Sequence, residues 1–361
     1  MSSAVLTPLN KDLKKSVIRD SNIELLRLFA IFGVMILHYN GYFALSLVTP
    51  NSINQYILVL LEGLFICAVN VFVLISGYFS VSTQKRKAVK ALELVIQVIC
   101  MNIACYLLTA LFSGSFTIAG LLNSAVPNNY YAILYITVYL VSPYINIVIN
   151  RLTDKQLTIF TVLLFVLFSV WPTILDILQG YGLIYGGLYT TNSSGSQYGY
   201  SFINFALMYI IGAFLRKKSY NFNFYALLTA FVVCLGILFV WQFKQPQVAR
   251  AYSNPLVIAL AVIIFLLFKK INFKSKFINS LSKATFTCFL IHGIFLGKIG
   301  IANFVNASPI LLVAHMLVSA VGIFLVSWVV WVIYDFVTRP VFKFIGSKLT
   351  CLDNVLSPEN T

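Results

Sequence analysis

The stretch RLFAIFGVMILH, Arg27 to His38, decides how this chain is read. Ten uncharged residues stand between an arginine and a histidine, inside the first long apolar run. A run of this kind, continued to residue 43, is long enough to cross a bilayer, which takes about 20 residues at a rise of about 1.5 Å each. The whole chain has the same character. Of its 361 residues 60% are hydrophobic and only 10% charged, against about 25% charged in a soluble domain. The expectation is an all-α, polytopic membrane helix bundle.

Ten apolar segments are expected as helices, over 23–43, 56–79, 88–112, 130–149, 157–176, 201–215, 222–243, 254–268, 284–300 and 309–336. The charge pattern tests the number. Of the 25 Lys and Arg residues, 21 fall in alternate breaks, three (Lys244, Arg250, Lys298) in the intervening breaks, and Arg27 inside a helix. Cations collect on the cytoplasmic side of membrane proteins, so this split predicts ten spans with both termini cytoplasmic. The same placement accounts for the net charge of +15 without nucleic acid as a partner. The expected layout is a cytoplasmic N-terminal segment (1–22), a membrane domain (23–337) and a cytoplasmic tail (338–361). The polar N-terminus has no signal-peptide core.

The six cysteines form no CxxC pair and are read as small, reduced membrane residues; no metal signature is present. Two breaks on the non-cytoplasmic side, residues 113–129 and 179–201, hold Gly, Ser, Asn and Tyr but no Lys or Arg. Such loops suit sugar rings, and equally suit an interfacial aromatic belt.

On a helix the eleven steps from Arg27 to His38 turn the chain by about 1100°, so both side chains share one face, about 16 Å apart along the axis. Glu24, three residues earlier, is within pairing distance of Arg27. An arginine in a span costs roughly 2.5–3.5 kcal/mol, and each Leu, Ile or Phe beside it returns only about 0.3–0.6. Buried ionisable groups of this sort usually mark a pathway or a site; the plainer alternative is an interfacial Arg27–Glu24 pair with the arginine snorkelling. Arginine holds phosphates in a forked geometry, and histidine takes a proton near neutral pH. Together they suit a donor with phosphates at one end and a reactive group at the end of a long arm, as in acyl-coenzyme A.

At these residues the sequence resembles the acyltransferase-3 family of membrane acyltransferases. RDSNIELLRLFAIFGVMILHY (19–39) matches the family's Arg, ten residues, His pattern, with Arg19 at a frequent earlier arginine. NVFVLISGYF (70–79) is similar to its Ser-Gly-aromatic ending, at Ser76, Gly77 and Tyr78. NNYYAILYITVYLVSPYIN (128–146) has Tyr130 and Tyr131 where a Trp is common, and LSKATFTCFLIHG (281–293) has Phe289 for the usual Tyr before the matching His292. In TQKRKAVK (83–90) one arginine, Arg86, flanked by Lys85 and Lys87, replaces a double arginine; lysine meets phosphate as a point charge and not as a fork.

The resemblance implies a stand-alone enzyme of a cell membrane, expected to be the bacterial cytoplasmic membrane, that moves an acyl group, usually acetyl, from cytoplasmic acyl-CoA to a hydroxyl of a surface or lipid-linked glycan. It implies His38 as catalytic base or transient acyl carrier, Arg27, Arg86 and Lys87 as acyl-CoA contacts, and Glu24, Ser76, Gly77, Tyr131 and His292 in support. Acetyl-CoA is then a substrate, and no cofactor is held permanently; membrane lipids are the remaining partner. For His292 a packed, hydrogen-bonded role is an equal reading, and His315 has no partner that the sequence identifies. Glu62 and Glu93 are intramembrane carboxylates, Glu93 within reach of Lys90, whereas Asp176 and Asp335 look like helix-end residues. The rival class is a transporter or flippase for a lipid-linked sugar or small solute. It suits the spans and buried charges but lacks the matched internal repeats common in transporters.

Overall fold

The computed structural model describes residues 20–83, 85–183 and 197–356. Arg19, Lys11, Lys14, Lys15, the middle of the 179–201 loop and the last five residues lie outside the described residues. Each of the ten expected segments coincides with a helix or a pair of helices, and no strand occurs among the described residues. Among the described residues the α-helices of ten or more residues are α1 (Ser21–Tyr39), α2 (Ile53–Phe65), α3 (Ala68–Ser80), α4 (Ala88–Ser113), α5 (Tyr130–Arg151), α6 (Asp154–Phe165), α7 (Trp171–Gly180), α8 (Phe202–Lys218), α9 (Phe224–Gln242), α10 (Pro255–Lys270), α11 (Thr285–Leu296) and α12 (Pro309–Lys348). Their starts follow local chemistry. The side chains of Asn129, Thr153, Ser201, Asn223, Asn254 and Ser308 each accept a backbone N–H of the first turn, which would otherwise lack a partner.

Among the described residues seven stretches are long and apolar enough to cross a membrane, namely 21–47, 53–80, 88–113, 130–151, 154–180, 224–242 and 309–348. The chain is an integral membrane protein. Helices α8, α10 and α11 are shorter, at 17, 16 and 12 residues. They are not peripheral: α8 buries most of its length, including Phe205, Met208 and Tyr209. The last helix was expected to end at 336 but runs on to Lys348 through Pro340. An Asp335–Arg339 ion pair one turn apart supports it there, and a helix leaving the bilayer needs no apolar sequence to continue.

Burial sorts the bundle into centre and rim. In the apolar windows of 21–47 and 53–80, 61% and 72% of the residues are buried, against 11% for 224–242. Helix α1, which carries Arg27 and His38, therefore runs through the middle of the protein, where its polar side chains meet protein rather than lipid. The outer helices expose large apolar residues such as Ile310, Val318 and Phe336, as a lipid-facing surface does.

Helices α3 and α8 cross in backbone contact. A Cβ on Gly77 would strike the Tyr209 carbonyl, and one on Gly212 would strike the Leu74 carbonyl. Small residues allow such close approach, a recurrent way of packing helices in lipid. Gly77, expected beside the site, is a packing residue in this geometry. Replacing it with Ala should destabilise the detergent-solubilised protein by about 1–3 kcal/mol, because backbone rather than a flexible side chain must yield. Thermal unfolding measures this, and an unchanged midpoint would refute the crossing.

All six cysteines are free thiols, with Cys67, Cys234 and Cys288 buried. No group of three or more His, Cys, Asp or Glu side chains placed to hold a metal ion occurs among the described residues.

Candidate active site

The first turns of α1 build one part of the site. The Arg27 Nη1 pairs with Glu24 Oε1 at 2.6 Å, and the Ser282 hydroxyl donates to Glu24 Oε2 at 2.5 Å. Glu24 is buried while Arg27 keeps 29% of its side-chain surface accessible. The carboxylate is thus pinned from behind, and the guanidinium faces a cavity of about 430 Å³. Lys90, Lys283 and Arg339 line the same cavity. The Lys283 ammonium lies 5.8 Å from the Trp331 ring, Lys90 pairs with Glu93 at 2.9 Å, and Arg339 pairs with Asp335. Glu24, Glu93 and Asp335 pair with three of these four cations, and Lys283 leaves the cavity with a net positive charge.

The far end of α1 builds the other part. His38 Nδ1 is in hydrogen-bond contact with His292 Nε2, the ring planes 8° apart and the centroids at 4.7 Å. His292 Nδ1 lies 3.0 Å from the Cys288 carbonyl oxygen one turn back along α11. A carbonyl only accepts, so His292 carries its proton on Nδ1 and its neutral Nε2 is an acceptor. His38 Nδ1 must then donate. The remaining nitrogen, His38 Nε2, is left with a free lone pair and has no protein partner among the described residues. The chain of bonds from carbonyl to His292 to His38 selects the tautomer a general base requires.

The backbone just beyond reinforces this placement. Residues Asn40–Ala44 form a π-helical turn, a local widening often found at functional sites. The Asn40 amide donates to the Leu58 carbonyl and to Glu62 Oε2, both at 3.1 Å, which ties the turn to α2. It swings the Tyr42 ring to 5.1 Å from His38. Beside it, the Tyr39 hydroxyl donates to His315 Nδ1 at 2.9 Å, and His315 Nε2 donates to the Ile299 carbonyl at 3.1 Å. His315 therefore has two partners and anchors the residue next to His38.

Arg27, Glu24, Ser76 and Tyr131 line one cavity, and His38 joins His292. Between the two stand aromatic rings. Tyr131 meets Phe289 at 4.6 Å between centroids, and Phe289 meets His292 at 6.0 Å, so Phe289 presents one face to the cavity and lies against the histidine pair. The Ser76 hydroxyl donates to the Phe72 carbonyl at 3.0 Å and lies 3.3 Å from the Tyr135 hydroxyl. Arg86 and Lys87 do not line this cavity. Arg86 is buried, donates from Nε to Ser142 at 2.9 Å and lies over Tyr139, while Lys87 has an exposed side chain. Lys90, Lys283, Trp331 and Arg339 were not expected at the site. The cations among them sit in breaks that report topology, and no local spacing links residues so far apart in sequence.

A polytopic helical bundle whose central helix carries a cationic cavity near one end, and near the other a proton-accepting histidine oriented by a second histidine from a neighbouring helix, is suited to membrane-embedded group transfer. The family profile described as the acyltransferase domain, acyltransferase-3, matches residues 20–332. The chain belongs to this family and is an integral membrane acyltransferase. No match was found among curated proteins or solved structures.

Proposed function

We propose that the protein transfers an acyl group, acetyl in the first instance, from acyl-CoA to a hydroxyl of a surface or lipid-linked glycan, in the cytoplasmic membrane of a bacterium. The observation that carries this reading is the free lone pair on His38 Nε2, set by the bond to His292. The cationic cavity at the Arg27 end supports a phosphate-bearing donor there. It lies on the side that the charge bias assigns to the cytoplasm, where acyl-CoA is available. The donor's arm then passes Tyr131 and Phe289 to bring its thioester to His38.

In this mechanism His38 Nε2 takes the proton of the acceptor hydroxyl as the oxygen attacks the thioester carbonyl carbon. The carbon–sulfur bond breaks, the new ester leaves with the acceptor, and the departing thiolate takes the proton back from His38 Nε2. His292 Nε2 accepts from His38 Nδ1 throughout and steadies the imidazolium while it lasts. Transfer through an acyl-His38 intermediate uses the same nitrogen, and single-turnover trapping with labelled acetyl-CoA distinguishes the two routes. The family assignment favours acyl transfer over the transporter reading.

The test is turnover of labelled acetyl-CoA by purified protein, together with cell-surface glycan acetylation in cells with and without it. Absence of thioester turnover in folded protein supplied with acceptor would overturn the proposal. The cationic cavity makes its own prediction. Arg27→Gln should weaken acyl-CoA binding by roughly 10-fold or more, since a charged hydrogen bond is worth about 1.5–3 kcal/mol, and should lower kcat less. Equal affinity in the variant would remove Arg27 from the donor site.

A further inference from the structure

A second cationic cavity, of about 410 Å³, opens beside the first turn of α1 and shares no lining residue with the Arg27 cavity. Its walls come from Ser21 and Asn22 at the start of α1, Tyr78 and Phe79 at the end of α3, Arg216 in the last turn of α8, and Lys269 and Lys274 at and beyond the end of α10. Two cations turn onto one ring. The Arg216 guanidinium lies 5.1 Å and the Lys269 ammonium 5.0 Å from the centre of Tyr78, and Arg216 Nη1 donates to the Tyr78 hydroxyl at 3.4 Å.

Cations at helix C-termini are ordinary, because the helix dipole and the charge bias both favour them. Their neighbours show what that ordinary case looks like here. Lys217 donates to the Ile149 carbonyl, Lys218 pairs with Asp154, and Lys270 donates to Asn221. Each has an acceptor of its own. Arg216 and Lys269 instead converge on a phenol, and among the described residues neither forms an ion pair. Asp20, the one carboxylate on the cavity wall, pairs with neither. Two like charges gathered at an open cavity repel unless an anion joins them.

We infer that this cavity binds the phosphate of an anionic phospholipid headgroup. Basic pockets between helix ends at the membrane surface bind such headgroups. Arg216 supplies a fork and Lys269 a point charge for the phosphate oxygens. Phe79 and Ile271, both large and exposed, flank the cavity and offer apolar surface to the first carbons of an acyl chain. A headgroup seated there would hold the ends of α3, α8 and α10 against α1. The inference is independent of the acyl-transfer reading.

The experiment uses the purified full chain in neutral detergent, with added phosphatidylglycerol, phosphatidylcholine, inorganic phosphate or adenosine 3′,5′-bisphosphate. Native mass spectrometry reads bound lipid, and thermal unfolding reads protection. Phosphatidylglycerol should bind and protect where phosphatidylcholine does not. The Arg216→Gln/Lys269→Gln double variant should lose roughly 10-fold or more of this binding, and Arg216→Lys/Lys269→Arg should retain it. Should the double glutamine variant fail to fold, each single glutamine variant should show a partial loss. Equal binding of the two lipids, or undiminished phosphatidylglycerol binding in the glutamine variants, would overturn the inference. Equal protection by inorganic phosphate would overturn the lipid as occupant. Bisphosphate binding that falls in the same variants would place a nucleotide in this cavity and also overturn it.

Discussion

His38→Ala should lower acyl transfer by roughly 10²–10⁴-fold while leaving acyl-CoA affinity close to that of the parent protein. The lone pair on Nε2 is what the reaction loses, and the substitution removes nothing from the Arg27 cavity, which His38 does not line. His38 is half-buried, so the smaller side chain leaves a small cavity without breaking a helix contact of the Gly77 kind. Turnover of labelled acetyl-CoA, measured beside binding of a non-reactive acyl-CoA analogue, separates the two quantities. Near-normal transfer by well-folded variant protein would remove His38 from the chemistry. A large loss of donor affinity with little change in kcat would assign it to binding instead.

The second large effect is expected at His292, which acts through His38. His292→Phe keeps a ring of similar breadth against Phe289 but removes the acceptor for His38 Nδ1–H. His38 is then free to place its proton on either nitrogen, and a developing imidazolium has no partner. Loss of an orienting partner costs roughly 10–100-fold at metal-binding histidines, and a loss on that order is expected here. The loss should fall on kcat, with KM for acyl-CoA nearly unchanged, and the pH–rate profile should shift, because the group that titrates has lost its neighbour. A purely structural His292 would lower the amount of folded protein without moving the profile. His292→Gln, which restores an acceptor oxygen, should recover part of kcat. No recovery together with an unshifted profile would sink the positioning role.

Much of the architecture was legible in the sequence because its signals are local. Apolar run length marks the spans, and Asn, Ser and Thr at N-caps mark where helices begin. Each expected segment is helical, including α8, α10 and α11, which are too short to register by length and apolarity alone. The short helices stand in the sequence as short apolar runs, and the charge alternation along the whole chain supports them. Helix α12 outruns its apolar stretch because hydropathy marks a membrane boundary, and helical hydrogen bonding does not stop there.

The site divides along the same line. Arg27, Glu24 and His38 lie on one helix, so a period of 3.6 residues sufficed to put them on one face and the structure pairs Arg27 with Glu24. His292 was visible as a histidine, but its bond to His38 joins residues 254 positions apart. Separation along the chain likewise hid Lys90, Lys283 and Arg339 from one another, and hid the role of His315 beneath Tyr39. By itself the sequence determined that the chain spans a membrane as helices, and which helix carries the polar pair, because hydropathy and helical period are properties of neighbours along the chain. Tertiary structure alone decided the tautomer of His38, the company Arg27 keeps and the backbone crossing at Gly77. Each of these depends on which atoms of distant helices come within bonding distance, and no pattern local to either helix encodes that.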